Sequence, residues 1–278
     1  MTDKTTIDLS SADSITQHVR DRYAATAKAV QTGSPAACCS TDCCSTGTSD
    51  PISSNLYDAV QTHDLPSKAI LASLGCGNPT ALIELHEGEI VLDLGSGGGI
   101  DVLLSAKRVG PTGFVYGVDM TDEMLALAQE NKARAGATNV VFLRSRIEEL
   151  PLPHNSVDVI ISNCVINLAA DKSLVLNEAY RVLRPGGRFA VSDVVADGAV
   201  PTTLRQNMEA WTGCLAGALE IDAYKSLLAL AGFENIGVEI TRRYTITDTN
   251  LDPATLPVGW EVSDGKLASA FIRANKPV

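Results

Sequence analysis

The chain has 278 residues, 45% hydrophobic and 20% charged, enough to bury one sizeable core plus an appendage. Lys+Arg 22 against Asp+Glu 33 leaves a net charge of −11 with no basic cluster, which argues against a nucleic-acid substrate, because phosphates need a positive track. No apolar run approaches the roughly 20 residues of a membrane span and MTDKTTIDLS lacks a signal-peptide core, so no membrane role and a cytoplasmic home are expected.

In such a compartment thiols stay reduced, so the 7 cysteines read as ligands or nucleophiles before disulfide staples. Ser11–Val30 opens polar and then places Ile15, Val19, Tyr23 and Ala27 at helical spacing, which predicts an amphipathic helix ending at Gly33-Ser34-Pro35. Ala36–Asp50 is small and polar and carries two adjacent pairs, Cys38-Cys39 and Cys43-Cys44. CCxxxCC lacks the paired CxxC modules of a structural zinc site, and a flexible thiol-rich lid is the preferred reading. Ile52–Leu74 holds short helical pieces, with Leu65-Pro66-Ser67 marking a helix start. Gly75-Cys76-Gly77-Asn78-Pro79 is a tight turn, and a cysteine between two glycines is expected to be sterically exposed. Ala81–Leu85 leads into the first core strand.

Glu89–Leu94 is an apolar, β-branched run that stops abruptly at Gly95, Gly97, Gly98 and Gly99, and Ile100–Lys107 follows with helical spacing. Gly113–Asp119 reads as a second parallel strand ending in an acid, able to accept hydrogen bonds from both ribose hydroxyls. Strand, glycine turn, helix, strand and acid make a nucleoside-cofactor site. Asp93 makes the loop acidic, which suits a cationic or amino-bearing ligand better than a pyrophosphate. DLGSGGG resembles the cofactor loop of class I S-adenosylmethionine methyltransferases, a resemblance that implies Asp93 and Gly95 near the methionine moiety, with Gly97 and Gly99 completing the loop and Met120 following the ribose acid.

Thr121–Gly136 predicts a helix capped by Thr121 or Asp122, and Val140–Arg144 a third strand. In the methyltransferase pattern Ile147 and Glu148 meet the adenine. Val157–Ser162 is the fourth strand, with Asn163 and Cys164 at its C-terminal tip, where ligands of open α/β sheets bind. Asn163 is therefore a cofactor-site candidate, and Cys164 is placed beside the cofactor's reactive end. Lys172–Leu183 predicts a helix stopped by Arg184-Pro185-Gly186-Gly187, and Arg188–Ser192 a fifth strand. Pro201–Ala218, with Trp211 and Cys214, reads as a helical substrate-binding insertion; Ile221–Ala231 as a helix closed by Gly232; Asn250–Asp264 as a loop. Asn235–Tyr244 and Leu267–Ala274 would make terminal antiparallel strands. The fold expected is α/β: a Rossmann-like, mostly parallel sheet with an antiparallel last strand. It divides into an N-terminal helix, cysteine loop and lid (1–78), a cofactor-binding core (79–198), and an insertion with the terminal strands (199–278). No heptad run asks for a partner, and a monomer is expected.

Cys76, Cys164 and Cys214 lie on three separate segments. A thiolate cluster without histidine or carboxylate partners selects a soft, thiophilic centre and suits a trigonal As(III) ion. SLGCGNP (Ser73–Pro79), SNCVINL (Ser162–Leu168) and WTGCLAGAL (Trp211–Leu219) resemble the three cysteine motifs of microbial arsenite S-adenosylmethionine methyltransferases. VRDRYAATA (Val19–Ala27), Cys38-Cys39 and Leu92–Gly113 match as well, so the resemblance covers almost the whole chain. It implies As(III) on the thiolates of Cys164 and Cys214, joined by Cys76. It also implies an N-terminal cysteine, among Cys38, Cys39, Cys43 and Cys44, that pairs with Cys76 or relays arsenic to it. The implied reaction takes arsenite or methylarsenite, leaves S-adenosylhomocysteine, and needs glutathione or thioredoxin as reductant. Two rivals stand beside it: a quinone-type small-molecule methyltransferase, which would not require the three cysteines, and a non-catalytic metalloid-sequestering protein, which would not require the intact cofactor loop.

Overall fold

Parallel strands covered on both faces read as unbroken apolar runs, and four such runs build the centre of the sheet: β1 (Ile90–Leu94), β2 (Phe114–Asp119), β3 (Val140–Arg144) and β4 (Val157–Asn163). β5 (Leu183–Ala196), β6 (Leu219–Glu220), β7 (Glu234–Arg243) and β8 (Leu267–Asn275) complete it. The computed structural model describes residues 11–32, 65–72, 75–198, 217–245 and 266–278. Cys38, Cys39, Cys43, Cys44, Trp211, Cys214 and the expected 250–264 loop lie outside the described residues.

Among the described residues the sheet has eight strands in the order β3-β2-β1-β4-β5-β8-β7, with β6 beside β5. β1 to β6 pair in parallel, and β8 runs antiparallel to both β5 and β7. This is the mostly parallel sheet with an antiparallel last strand that the sequence predicts. The helices are α1 (Ala12–Gln31), α2 (Ser67–Leu71), α3 (Pro79–Leu82), α4 (Ile100–Val109), α5 (Asp122–Ala135), α6 (Lys172–Val182) and α7 (Ile221–Ala231). Alternate strand residues serve opposite faces. Val91, Val159 and Ile161 cluster with Val102, Ala106 and Val109 of α4 and Ala128 of α5. Leu92, Ile160 and Phe189 cluster with Val175, Leu176 and Ala179 of α6 and with Tyr224 and Leu228 of α7. Among the described residues no helix is long and apolar enough to cross a membrane.

Two local expectations are corrected. The helix expected to reach Leu183 ends at Val182, and the strand expected from Arg188 already begins at Leu183. Leu183 pairs with Val157 and Arg188 with Val159, so Arg184-Pro185-Gly186-Gly187 is a bulge inside a strand, not a gap before one. The segment leading into β1 contains the short helix α3.

The segment between β3 and β4 is fastened to α6 by one arginine. Arg181 donates to the carbonyls of Leu150 (2.9 Å) and Leu152 (2.8 Å) and to Glu178 (2.6 Å), and Glu178 in turn accepts from the Leu150 N–H at 2.8 Å. Pairing lowers the Glu178 carboxyl and raises the Arg181 guanidinium from their ordinary values. Arg181→Met should lower unfolding free energy by about 1–3 kcal/mol, because it leaves two carbonyls unmatched and a half-buried carboxylate without its cation. Urea denaturation reads this directly, and an unchanged midpoint would show the staple to be redundant.

Candidate active site

β1 ends at Leu94 and the chain turns through Gly95–Gly99 into α4. Gly99 stands at φ +86°, where a Cβ would lie 2.8 Å from the Phe142 ring, so this corner admits no side chain. Gly97 stands at φ +48° and a Cβ there would meet nothing within 4 Å, because it faces the cleft. The loop is held from below: Asn131 of α5 donates to the Gly98 carbonyl at 2.9 Å, and Ser96 N–H donates to Val118 O at 2.9 Å. At the tip of β2, Asp119 accepts from Gly97 N–H (2.9 Å) through Oδ2 and from Thr121 N–H (2.8 Å) through Oδ1. The carboxylate is thus fixed at the mouth of the loop.

A cleft of about 940 Å³, counting its open mouth, runs across these strand ends. Of the residues expected at a cofactor, Gly95, Gly97, Asp119, Met120, Ile147, Glu148 and Asn163 line it. Asp93 is buried behind the loop and Gly99 forms the loop's exit into α4. Sequence reasoning missed Thr16, Val19 and Tyr23, which close the cleft from α1, and Asp101 in the first turn of α4. The α1 contribution needs long-range packing on α5, where Lys28 meets Glu123 at 3.0 Å and Arg20 meets Asp122 at 3.4 Å. Asp101 carried a weak signal, since an acid in a first helical turn usually just complements the helix dipole.

Asp101, Asp119 and Glu148 line this wall, Glu148 paired with Arg146 at 3.3 Å, and no described lysine, arginine or histidine lines it. Burial raises the Asp93 carboxyl well above its ordinary value, with the charges of Asp101 and Asp119 adding to the shift. Burial also raises Asp119, against hydrogen bonds from Thr121, Gly97 and Met120 that lower it. A cationic ligand would relieve this crowding, whereas a pyrophosphate would worsen it.

The cleft adjoins two sulfurs. Gly75 lines it beside Cys76, and Asn163 and Val165 line it on either side of Cys164. Cys76 and Cys164 are joined in a disulfide with Cα atoms 5.8 Å apart across a sequence separation of 88. Cys164 sits at φ +59°, left-handed backbone that a non-glycine residue adopts only when its surroundings enforce it, and its N–H donates to Ser192 O at 2.8 Å. The expectation of an exposed Cys76 is corrected: it is buried at 4% exposure. Its flanking glycines permit close packing, since a Cβ on Gly75 would overlap the Asn163 side chain and one on Gly77 would lie 2.5 Å from Ser192 Cβ. Asn163 Oδ1 accepts from Cys76 N–H (3.0 Å) and Gly77 N–H (3.2 Å), while Nδ2 donates to Gly77 O (2.7 Å) and Asp101 Oδ2 (3.4 Å). Ser269 of β8 donates to the Cys76 carbonyl at 2.7 Å. One carboxylate oxygen of Asp193, on β5, lies with both Sγ atoms in a group no wider than 4.8 Å. Burial pushes Asp193 up to about 7, against hydrogen bonds and the Lys172 charge.

Residues 85–232 match the model of a family described as a methyltransferase domain. An arsenite methyltransferase of Halobacterium salinarum is 43% identical over 272 residues, covering 93% of this chain and 66% of that protein. One from Aquipseudomonas alcaligenes is 44% identical over 184 residues, covering 64% of this chain and 53% of that protein. The chain thus spans roughly half to two thirds (53% and 66%) of these relatives' lengths. The crystal structure of an arsenic(III) S-adenosylmethionine methyltransferase from Chlamydomonas reinhardtii superposes with a TM-score of 0.64 at 35% identity, covering 79% of this chain and 72% of that one.

The raised Asp93 has a measurable consequence in the cofactor-free protein. The folded state holds that proton more tightly than the unfolded chain, whose ordinary value is 3.8, so stability falls as pH rises from there toward the folded value. Asp93→Asn removes the loss. The free variant should melt above the parent at about pH 8, with the gap narrowing toward about pH 5, while its cofactor affinity falls. Scanning calorimetry across that range checks it, and a variant melting at or below the parent at the higher pH would contradict it.

Proposed function

The chain belongs to the S-adenosylmethionine-dependent arsenite methyltransferase family, and we propose from that premise that it transfers a methyl group to trivalent arsenic held on cysteine thiolates. The observation carrying the reading is the meeting of an acid-walled nucleoside cleft with Cys76 and Cys164, each one residue from the cleft wall. S-adenosylmethionine supplies a sulfonium-activated methyl group, which the arsenic lone pair takes to give methylarsenic and S-adenosylhomocysteine.

The chain's own residues do the holding. Asp119 receives the ribose hydroxyls, Met120, Ile147 and Glu148 border the adenine, and Gly95, Gly97 and Asn163 border the methionine end, with Asp93 and Gly99 shaping the loop behind. The acidic wall fits a ligand with ammonium and sulfonium charges and explains why no described cation lines it. Cys76, Cys164 and Cys214 hold As(III), raise its electron density and fix it near attack distance, an orientation that supplies several kcal/mol of the barrier. The attacking lone pair carries no proton, so the reaction asks for no general base. A quinone-type methyltransferase would have no use for paired sulfurs at the cleft wall.

The Cys76–Cys164 bond sets a requirement. Two sulfurs bonded to each other cannot both bind arsenic, so a thiol reductant such as glutathione or thioredoxin must open the pair first. The reading is of a protein in a reducing compartment, the cytoplasm, acting as a monomer on arsenite and methylarsenite. The N-terminal cysteines, Cys38, Cys39, Cys43 and Cys44, are read as the relay.

Reduced protein incubated with S-adenosylmethionine, arsenite and excess thiol should produce methylated arsenic, separated by chromatography and identified by mass spectrometry. Cys164→Ser/Cys214→Ser should lose at least about 100-fold in rate while S-adenosylhomocysteine affinity stays within about threefold, since only the orientation of arsenic is removed. Asp119→Ala should do the reverse, weakening the cofactor by about tenfold or more through two lost charge-assisted hydrogen bonds. Parent-like methylation by the double cysteine variant would sink thiolate-held attack.

A further inference from the structure

Beside the two sulfurs lies a buried carboxylate that neither the cofactor cleft nor the thiol set uses. Asp193 is 1% exposed. Its Oδ1 accepts from Asn167 Nδ2 at 2.8 Å and from the Val194 N–H at 3.0 Å. Among the described residues its Oδ2 has no hydrogen-bond partner, although buried polar atoms are nearly always matched. Two further buried oxygens, Asn167 Oδ1 in the short turn after β4 and Ser192 Oγ on β5, are also unmatched among the described residues, and Ser192 packs directly on Gly77. The acid side chain thus has hydrogen-bonding capacity unspent, and one of its carboxylate oxygens lies within 4.8 Å of both sulfurs.

We propose that Asp193 is a substrate-holding residue that hydrogen-bonds a hydroxyl group on arsenic while the reduced Cys76 and Cys164 hold the same atom. The inference rests on the reading of this pair as an arsenic site. Arsenite, As(OH)3, loads onto two thiols by exchanging two As–O and two S–H bonds for two As–S and two O–H bonds, releasing two waters with no change of oxidation state. One hydroxyl stays on arsenic. That hydroxyl both donates and accepts, so the contact forms whether Asp193 is ionised or protonated, and it fills the unmatched Oδ2. Asp193 thereby distinguishes a hydroxyl-bearing arsenical from one whose third position is carbon. The third thiol, Cys214, would later displace the held hydroxyl.

The test uses the full chain with Cys38, Cys39, Cys43, Cys44 and Cys214 replaced by serine, reduced with a phosphine so that Cys76 and Cys164 are the only thiols present. Affinities are measured by calorimetry for arsenite and for phenylarsonous acid, which keeps a phenyl group after binding two thiols. Asp193→Ala should weaken arsenite by about tenfold more than phenylarsonous acid, the size of a lost hydrogen bond to a charged or strongly polar partner. Asp193→Asn keeps the Oδ1 contacts and presents Nδ2 in place of Oδ2, and should hold the arsenite-to-phenyl ratio within about twofold of the parent. Equal losses for the two arsenicals, or a collapsed ratio in Asp193→Asn, would overturn the inference alone. Failure of both arsenicals to bind the reduced two-thiol protein would overturn the arsenic-site reading and the inference with it.

Discussion

One side chain joins the two halves of the site. Asn163, the last residue of β4, grips the Gly75–Gly77 turn through two accepted hydrogen bonds and one donated, and reaches Asp101 in the cofactor helix with its remaining hydrogen. Each bond contributes only about 1 kcal/mol, yet together they fix where Cys76 can lie relative to Cys164. Ser269 of β8 adds a further contact, to the Cys76 carbonyl. The sulfur pair is therefore a product of the strand tip, not of the turn that carries Cys76. The missing side chains at Gly75 and Gly77 let the amide come this close.

The cofactor half works by the opposite device, an arrangement unfavourable until filled. Asp93, Asp101 and Asp119 are buried close together, and burial with the neighbouring charges raises the proton affinity of Asp93, as burial raises that of Asp119. Such crowding costs stability in the free protein and returns it when a cation arrives, so affinity and free-state stability trade against each other at these positions. The glycine loop and Asn131 keep the acids from moving apart.

Much of this half was legible in the chain because it is local. Strand, glycine turn, helix, strand and acid fall within one βαβ unit, so a nucleoside site with Asp119 at its ribose could be read from spacing, while the parts of Gly95 and Gly97 came from the family resemblance. Ile147 and Glu148 followed only from a family pattern, since nothing in their own neighbourhood marks them. Val19 and Tyr23 read as one face of an amphipathic helix, and what that face covers depends on packing that no local pattern encodes. Cys76 misled for a related reason: flanking glycines signal either exposure or intimate contact, and only the position of Asn163 decides between them. Asp193 falls just past the expected fifth strand, Arg188–Ser192, with no motif to single it out, and its significance appears when β4, β5 and the cysteine turn meet.

The proposed reaction moves a positive charge a short way along one wall. It would start in the cleft that Asp101 and Asp119 line and end at the sulfurs beside Asp193. Asp101 touches the same Asn163 that anchors the Cys76 turn, so the acids at the two ends are linked through a single amide and the strand tips it joins. Water is largely excluded at the thiol end, where Ile15, Val19, Leu168, Val194, Tyr244 and Leu267 pack around the sulfurs. In so apolar a setting a fixed carboxyl acts on a nearby charge far more strongly than it would in water. The acids at both ends thus favour the cation before and after transfer, and what remains for the protein to impose is alignment. A strand tip tied into both neighbours, as Asn163 ties this one, is better suited to keeping that alignment than a free loop.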